Sequence, residues 1–390
     1  MDNLRIAGYN RVMYLHEREN WTNFTWDDRI IAPLLGDARF AQGKLLGRLE
    51  DVGFDLLREI EVDSLSAEAI ASSSIEGIQL DATKVRSSVA RRLGVDQLVG
   101  DADTRDVDGA VDVVLDAVGR RDDPLTAERL FGWHAALFPT GYSNLHKINV
   151  ATFRTSPMEV VSGPIGHEKV HYEAPPAHDV PGLMAEFLAW FNAEPDCDLL
   201  VKAGLAHLRF LTVHPFDDGN GRIARALTEM LLARSDNSPR RFYSMAGYIA
   251  AHREGYYEAI ERAQKGTPDV SQWLSWFLQA LKAAIEASSD EVGAILSRSA
   301  LWASLDAISL NERQRKVLSL LTGNFEGKLT AKKWARLCKV SPDTALRDIN
   351  DLIAKGILKR DAAGGRSTSY SLRQRIDETA KRNDQPTRGD

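Results

Sequence analysis

Disulfide frameworks, thiolate metal sites, membrane spans and repeat arrays each leave a trace in sequence, and this chain carries none of them. Only Cys197 and Cys338 occur in 390 residues, far apart and without a CxxC pair. That excludes a disulfide scaffold and a thiolate zinc site and suits a reducing compartment. No stretch approaches the roughly eighteen uninterrupted apolar residues of a spanning helix, and the first twenty residues have scattered charges in place of an apolar leader core. The expectation is a soluble, cytoplasmic protein with no membrane partner. A net charge of -6 on 49 basic and 55 acidic residues argues against a chain that coats nucleic acid through overall charge. No internal repeat is visible.

What is present is enough apolar content, 44% of the residues, for two or three domains with their own cores. From about Asp27 to Leu93 apolar and charged positions alternate at helical spacing. A polar stretch near Gly100 to Asp106 separates this region from a second helical one that runs to about Ile285. The one interruption, Glu159 to Pro176, gathers ValVal, GlyPro, GlyHis, ValHisTyr and ProPro. That mixture predicts a β-hairpin or flap, with an ordinary surface loop as the alternative. From Leu310 to Leu372, three helix-like segments are followed by IleLeuLysArg, a Gly364–Gly365 turn and SerThrSerTyrSerLeu, which together read as a winged helix. The polar residues 374–390 have almost no apolar anchors and read as a disordered tail.

Chemistry concentrates between His214 and Arg225, HPFDDGNGRIAR. The preceding run is helical, ProPheAspAspGlyAsnGly must form a loop, and a new helix starts near Gly221. A loop feeding a helix N-terminus presents unpaired backbone NH groups, and Gly219 and Gly221 let an anion come close. Arg222 and Arg225, three apart, share a helical face and suit a polyphosphate tail. Asp218 offers a hard oxygen for Mg²⁺ held jointly with phosphates, and His214 can accept a proton near neutral pH. Taken singly, each residue has a structural alternative: a helix cap for His214, a turn for Asp217 and Asp218, surface ion pairs for the arginines.

Together, these twelve positions agree with HPFxDGNGRxxR, the signature of the Fic family, and the chain resembles Fic proteins from about Trp21 to Leu372. The resemblance implies a mainly α fold: a Fic-type helical core with a β-hairpin flap, an N-terminal helical extension and a C-terminal winged helix. The implied division is 1–104, 105–285 for the catalytic core, 286–309 as a helical linker, 310–373 for the winged helix, and the tail. It also implies a protein adenylyltransferase in which His214 takes the proton of a target hydroxyl that attacks the α-phosphate of ATP. By the same carry-over, Asp218 is the Mg²⁺ ligand, Gly219, Asn220 and Gly221 form the anion hole, and Arg222 and Arg225 hold the β- and γ-phosphates. An Asp at the metal position resembles the AMP-transferring branch rather than the Doc-type kinases.

The flap would align a target segment by strand addition. Residues His252 to Ile260 resemble the helix beside the adenine, with Tyr256 or Tyr257 as the contact or, equally, as core packing; His207 reads as a packing residue. Ser72 to Gly77, SerSerSerIleGluGly, matches the family's inhibitory pattern [ST]xxxE[GN], so Ser72, Glu76 and Gly77 are the expected brake, with Glu76 set against Arg225. Self-labelling is a further expectation.

Between Leu310 and Arg373 fourteen basic residues face six acidic ones, a local +8 that fits DNA phosphates. Asp343, Asp348 and Asp351 on the expected recognition helix count against it, and Thr344, Arg347 and Asn350 are its only base-reading candidates. Two rivals therefore stay open: a winged-helix DNA-binding regulator with a nucleotide-sensing Fic domain, and an enzyme that removes AMP, with Glu76 activating water. A docking protein and a second copy of the chain are the other partners the sequence leaves open.

Overall fold

The computed structural model describes residues 13–373 except 51, 101, 102, 144, 164–166, 168, 239, 306, 307, 323, 324, 326 and 362–367. The chain divides into two compact units, Met1–Gly293 and Ala294–Asp390. Both are mainly helical with small antiparallel sheets.

In the first unit the order is α1 (Asp28–Glu50), α2 (Phe54–Ile75), α3 (Ala82–Leu93), α4 (Asp108–Gly119), α5 (Ala127–Leu137), β1 (Tyr142–Ser143), β2 (His146–Lys147), β3 (Glu159–Ser162), β4 (Lys169–Glu173), α6 (Val180–Asn192), α7 (Leu199–Val213), α8 (Asn220–Ser235), α9 (Met245–Ala251) and α10 (Arg253–Gln264). The long helix α11 (Ser271–Leu305) follows, and the division between units falls within it. The central pair is α7 and α8. Every residue of α7 after Leu199 is buried, as its almost continuous apolar run requires of a helix enclosed on all sides. Gly204 lets α11 come close, since a Cβ there would lie 3.0 Å from the Phe277 ring, and the Trp273 indole donates to the Gly204 carbonyl at 2.8 Å.

A second core joins α2, α3 and α4 through Val62, Leu65, Val85, Val89, Val111, Val114 and Val118, with Ala233 of α8. Sequence expectation set residues 1–104 apart from the catalytic region, whereas here α2 packs within the same compact unit as α8. The expected hairpin is formed: β3 and β4 pair antiparallel, with a register shift between Val160 and Val161. A second, smaller hairpin pairs Tyr142 with Lys147 and Ser143 with His146; its two-residue strands are too short to leave a periodicity.

The second unit contains the end of α11, then α12 (Glu312–Thr322), β5 (Leu329–Thr330), α13 (Ala331–Cys338), α14 (Pro342–Ala354), β6 (Leu358–Arg360) and β7 (Ser369–Leu372). Its sheet runs β5-β7-β6, the winged-helix arrangement of three helices and a hairpin with one short extra strand. Trp334, Val317, Leu318, Ile349, Leu352 and Tyr370 form its core. Leu305 belongs to that core and Leu301 and Trp302 pack against it, so residues read from sequence as linker contribute to this unit. The Gly364–Gly365 turn and the tail 374–390 lie outside the described residues.

One backbone contact tests the packing of α4 on α5. A Cβ at Gly109 would lie 1.9 Å from the carbonyl oxygen of Ala136, which only a backbone shift relieves. Gly109→Ala should cost on the order of 1–3 kcal/mol and lower the melting temperature; an unchanged thermal melt would show that the two helices are free to separate there.

Candidate functional site

The site is built where α7 ends and α8 begins. His214 closes α7 in the left-handed region, at φ 50°, a conformation that costs a residue with a Cβ about 1–2 kcal/mol and is held only where its surroundings over-determine it. Arg154 supplies much of that hold, donating from Nε to the His214 carbonyl at 2.8 Å. The loop is then stapled from within. Asn220 receives the Phe216 amide on Oδ1 at 3.0 Å and donates from Nδ2 to the Phe216 carbonyl at 2.8 Å. Its side chain is thus committed to the loop, and only its backbone faces the helix end.

Beneath the loop, His134 stacks on Phe216 at 4.4 Å, meets the Asp218 carbonyl through Nε2 at 3.1 Å, and accepts the Ala151 amide on Nδ1 at 3.2 Å. That pair of contacts places its proton on Nε2, and burial keeps its pKa below the usual value. Asp217 accepts the Asn149 amide and side chain, each at 2.9 Å. Arg154, His134, Ser143 and Asn149 were not legible as site residues, because each is a lone polar residue in an unremarkable segment.

No side chain caps α8, whose cap residue Gly219 sits at φ 81°, so the helix presents its amide end as an anion cradle. What lies against it is a carboxylate. A Cβ at Gly221 would fall 2.1 Å from Glu76 Oε1 and 3.2 Å from Arg225 Nη1. Arg225 donates from Nη2 to Glu76 Oε1 at 2.8 Å, from the same nitrogen to the Ser72 carbonyl at 2.8 Å, and from Nε to the Ser72 hydroxyl at 2.9 Å. Arg225 is 2% exposed in its side chain and Glu76 31%. Burial works against the Arg225 charge, and the Glu76 carboxylate more than restores it, so its pKa stands above the ordinary value.

Gly77 explains why the carboxylate stops there. At φ 80° it ends α2, and the amides of Gly77 and Ile78 return to the carbonyls of Ser74 and Ser73 at 3.0 and 3.1 Å, a Schellman closure. The space between α2 and α8, lined by Ser72, Ser73, Arg222 and Ala226 among others, is only about 10 Å³.

Among the described residues, buried Arg225 Nη1 and Arg222 Nε have no hydrogen-bond partner. The Arg222 guanidinium lies 4.7 Å above the Phe138 ring. Its pKa is lowered by burial, with Asp218 and Glu76 acting the other way. Asp218 accepts the Gly219 amide on Oδ1 at 2.5 Å and the Ser143 hydroxyl on Oδ2. Among the described residues no three acidic, histidine or cysteine side chains converge on a metal position. The donor set fits a hard divalent cation that takes one protein carboxylate and completes its shell from phosphates and water.

His214 Nδ1 lies 3.2 Å from the Leu211 carbonyl, which places the proton on Nδ1 and leaves Nε2 as a lone-pair acceptor. Burial pushes its pKa down to about 4, against the pull of that carbonyl, so the ring is neutral at physiological pH and in the state of a base. The two tyrosines part company. Tyr256 is 2% exposed and its hydroxyl meets His207 Nε2 at 2.8 Å, while His207 Nδ1 meets Thr228 at 2.9 Å. Tyr257 is 41% exposed, with its hydroxyl 3.4 Å from the Ile75 carbonyl at the end of α2.

With this geometry in hand, three family profiles match the chain. Residues 124–232 match the Fic/DOC family, 313–370 a DeoR-like helix-turn-helix domain, and 14–95 a domain of unknown function. The chain is thus a Fic-domain protein with a C-terminal winged helix.

It is 33% identical over 94 residues to a protein named probable protein adenylyltransferase from Aquifex aeolicus (strain VF5), covering 24% of this chain and 29% of that one. It is 26% identical over 215 residues to the protein adenylyltransferase Fic of Culex quinquefasciatus, covering 54% and 39%. The matches thus span well under half the length of these curated relatives. Among solved structures, a Fic family protein from Desulfovibrio desulfuricans G20 aligns over 90% of this chain and 97% of its own, at 20% identity and a TM-score of 0.49. Among the described residues no helix is long and apolar enough to cross a membrane.

The same helix that carries Glu76 also carries a buried carboxyl, Glu68, which accepts the Ser244 hydroxyl at 2.7 Å and the Ala246 amide at 3.0 Å. Burial, then the nearby Glu229 carboxylate, pushes its pKa up to about 8. A carboxyl raised in this way lends stability that is present below its unfolded value and lost as pH rises through about 8. Glu68→Gln keeps an acceptor for both donors and cannot ionise. Denaturant melts at pH 6 and pH 9 should therefore show a smaller alkaline loss in the variant than in the parent; equal losses would assign the titration to another group.

Proposed function

We propose that the chain is a protein adenylyltransferase that moves AMP from ATP to a Ser, Thr or Tyr hydroxyl of a protein target, itself included, and that Glu76 restrains it. The carrying observation is the Glu76 carboxylate seated on the amide end of α8 and on Arg225, where an anion cradle with two buried arginines calls for a phosphate. The names of the relatives, protein adenylyltransferases, point the same way.

In the proposed reaction the target hydroxyl oxygen attacks the α-phosphorus. Its proton passes to His214 Nε2, and the bond from the α-phosphorus to the pyrophosphate oxygen breaks. Arg222 and Arg225 take up the charge of the leaving pyrophosphate, and the neutral His214 ring is ready without a prior deprotonation. Asp218 would hold Mg²⁺, which supplies further neutralisation of the phosphates. With Glu76 in place, Arg225 is already satisfied and a carboxylate repels the phosphate tail, so the resting enzyme is slow. The flap β3–β4 is the surface on which a target strand would add.

A variant series separates the parts of this reading. Glu76→Gly should raise incorporation of labelled AMP tenfold or more, each tenfold being about 1.4 kcal/mol of barrier, and His214→Ala in that background should abolish it. A folded Glu76→Gly protein no faster than its parent would remove the brake from the proposal.

For the second unit, DNA binding is the reading favoured by where its acidic residues go. Asp348 is consumed inside the unit by Arg313 and Asn311, at 2.7 and 3.0 Å, and Asp351 by Gln314 and Lys355, at 2.7 and 2.6 Å. Arg347 and Asn350 are exposed on α14, alongside Asp343 and the paired Asp351, and their side chains suit guanine and adenine edges. The full chain should retard duplex DNA at low salt, with affinity falling as salt rises, and Arg347→Ala should weaken it. No retardation at low salt would leave the unit as a protein-docking module.

A further inference from the structure

One buried cation of the first unit has no part in holding nucleotide. Arg154 is 2% exposed, and among the described residues its hydrogen-bond acceptors are all backbone carbonyls. Nε donates to His214 at 2.8 Å, Nη2 to Val213 at 3.4 Å and to Pro175 at 2.5 Å, and Nη1 to Ser156 at 3.0 Å. Its own amide donates to the Pro215 carbonyl at 2.9 Å.

These carbonyls belong to two places. Val213 and His214 are the negative end of α7, which a cation stabilises. Ser156 and Pro175 are the two roots of the flap, three residues before β3 and two after β4, and the roots are closed on each other where the Ala174 amide donates to the Met158 carbonyl at 2.9 Å. A single planar fork therefore grips the flap at its base and the catalytic histidine by its backbone.

We propose that Arg154 is a positioning residue that sets the flap-bound target hydroxyl against His214 Nε2. This rests on the reading of His214 as the base and of the flap as the target's docking strand. The target oxygen is placed by the flap and its proton is taken by a side chain on α7, so the rate depends on the register between two elements. Misplacement by about 1 Å costs on the order of a hundredfold. Arginine is suited to this task because its donors are rigidly set in one plane, whereas lysine offers one flexible ammonium. ATP, gripped by α8, is held without it. The guanidinium also lies close enough to His214 to disfavour protonation of the ring, so its charge and its fork are separable contributions.

The test is made in the Glu76→Gly protein, with α-³²P-ATP and cell-lysate proteins as the acceptor probe. Arg154→Lys should lower the labelling rate at saturating ATP by roughly tenfold to a hundredfold, while the apparent KM for ATP moves less than about twofold. Arg154→Gln should show the same loss, and its His214 ring, followed by the ¹³Cε1 shift, should titrate at higher pH than in Arg154→Lys, because only Gln removes the charge. If neither variant folds, a single glycine inserted between Ala174 and Pro175 shifts one flap root and leaves Arg154 in place; it should reproduce the rate loss at unchanged KM for ATP. A labelling rate within threefold of the parent in Arg154→Lys, or in the insertion variant, would overturn the inference while leaving His214 as base. Persistent labelling by His214→Ala in the same background would instead overturn the reading beneath it.

Discussion

The contact between the Glu76 carboxylate and the Arg225 guanidinium holds the first unit in its present state. It places a negative charge on a helix end that has no side-chain cap, and it ties α2 to α8 across 149 residues of chain. Everything that positions it follows from ordinary helix chemistry. The left-handed Gly77 ends α2 one residue past Glu76, and Ser72, one turn earlier, gives both its hydroxyl and its carbonyl to the same arginine. A carboxylate is favoured at a helix N-terminus for the same reason that a phosphate is, and the proposed restraint rests on that shared electrostatic feature.

Around that contact, buried polar groups are satisfied with a few telling exceptions. Thr228, His207 and Tyr256 form a chain of hydrogen bonds, and Arg241, Glu229, Asp236 and Tyr243 form another in which Arg241 Nη2 and Glu229 Oε1 stay buried without a partner among the described residues. Such networks gain most where every member has a partner. Arg222 Nε and Arg225 Nη1 are, among the described residues, likewise buried without one, a cost of about 1–3 kcal/mol for each such group. These two nitrogens belong to the motif's arginines, one of them beside the cradle at Gly221.

In the second unit the balance of charge looks different in three dimensions from its count along the chain. Three acidic residues on α14 weigh against a polyanionic partner when tallied by sequence. Two of them turn out to be internal ties, Asp348 to α12 through Arg313 and Asp351 to Gln314 and Lys355. An acid paired within a unit contributes little to the field outside it, which leaves the basic excess to set the surface.

The twelve residues from His214 to Arg225 were legible from sequence because their constraints are local: a helix that must stop, glycines that must turn, and arginines three apart that must share a face. The Ser72 to Gly77 helix end, the flap hairpin and the winged helix were legible for the same reason, through a cap glycine, a turn-rich stretch between β-branched residues, and three periodic runs before a glycine turn. Sequence also determined the helical class, since the 3.6-residue periodicity is written into each segment.

What only the tertiary structure decided is which partners those segments meet. It turned the Asn220 side chain inward, sent Tyr256 into the core and left Tyr257 at the surface, packed Leu301 and Trp302 against the core of the second unit, and brought His134, Ser143, Asn149 and Arg154 to a loop far from them in sequence. These are single hydrogen bonds and contacts between distant residues, and a lone polar residue carries no periodicity to announce them. Backbone carbonyls, the acceptors on which Arg154 depends, have no letter in the sequence at all.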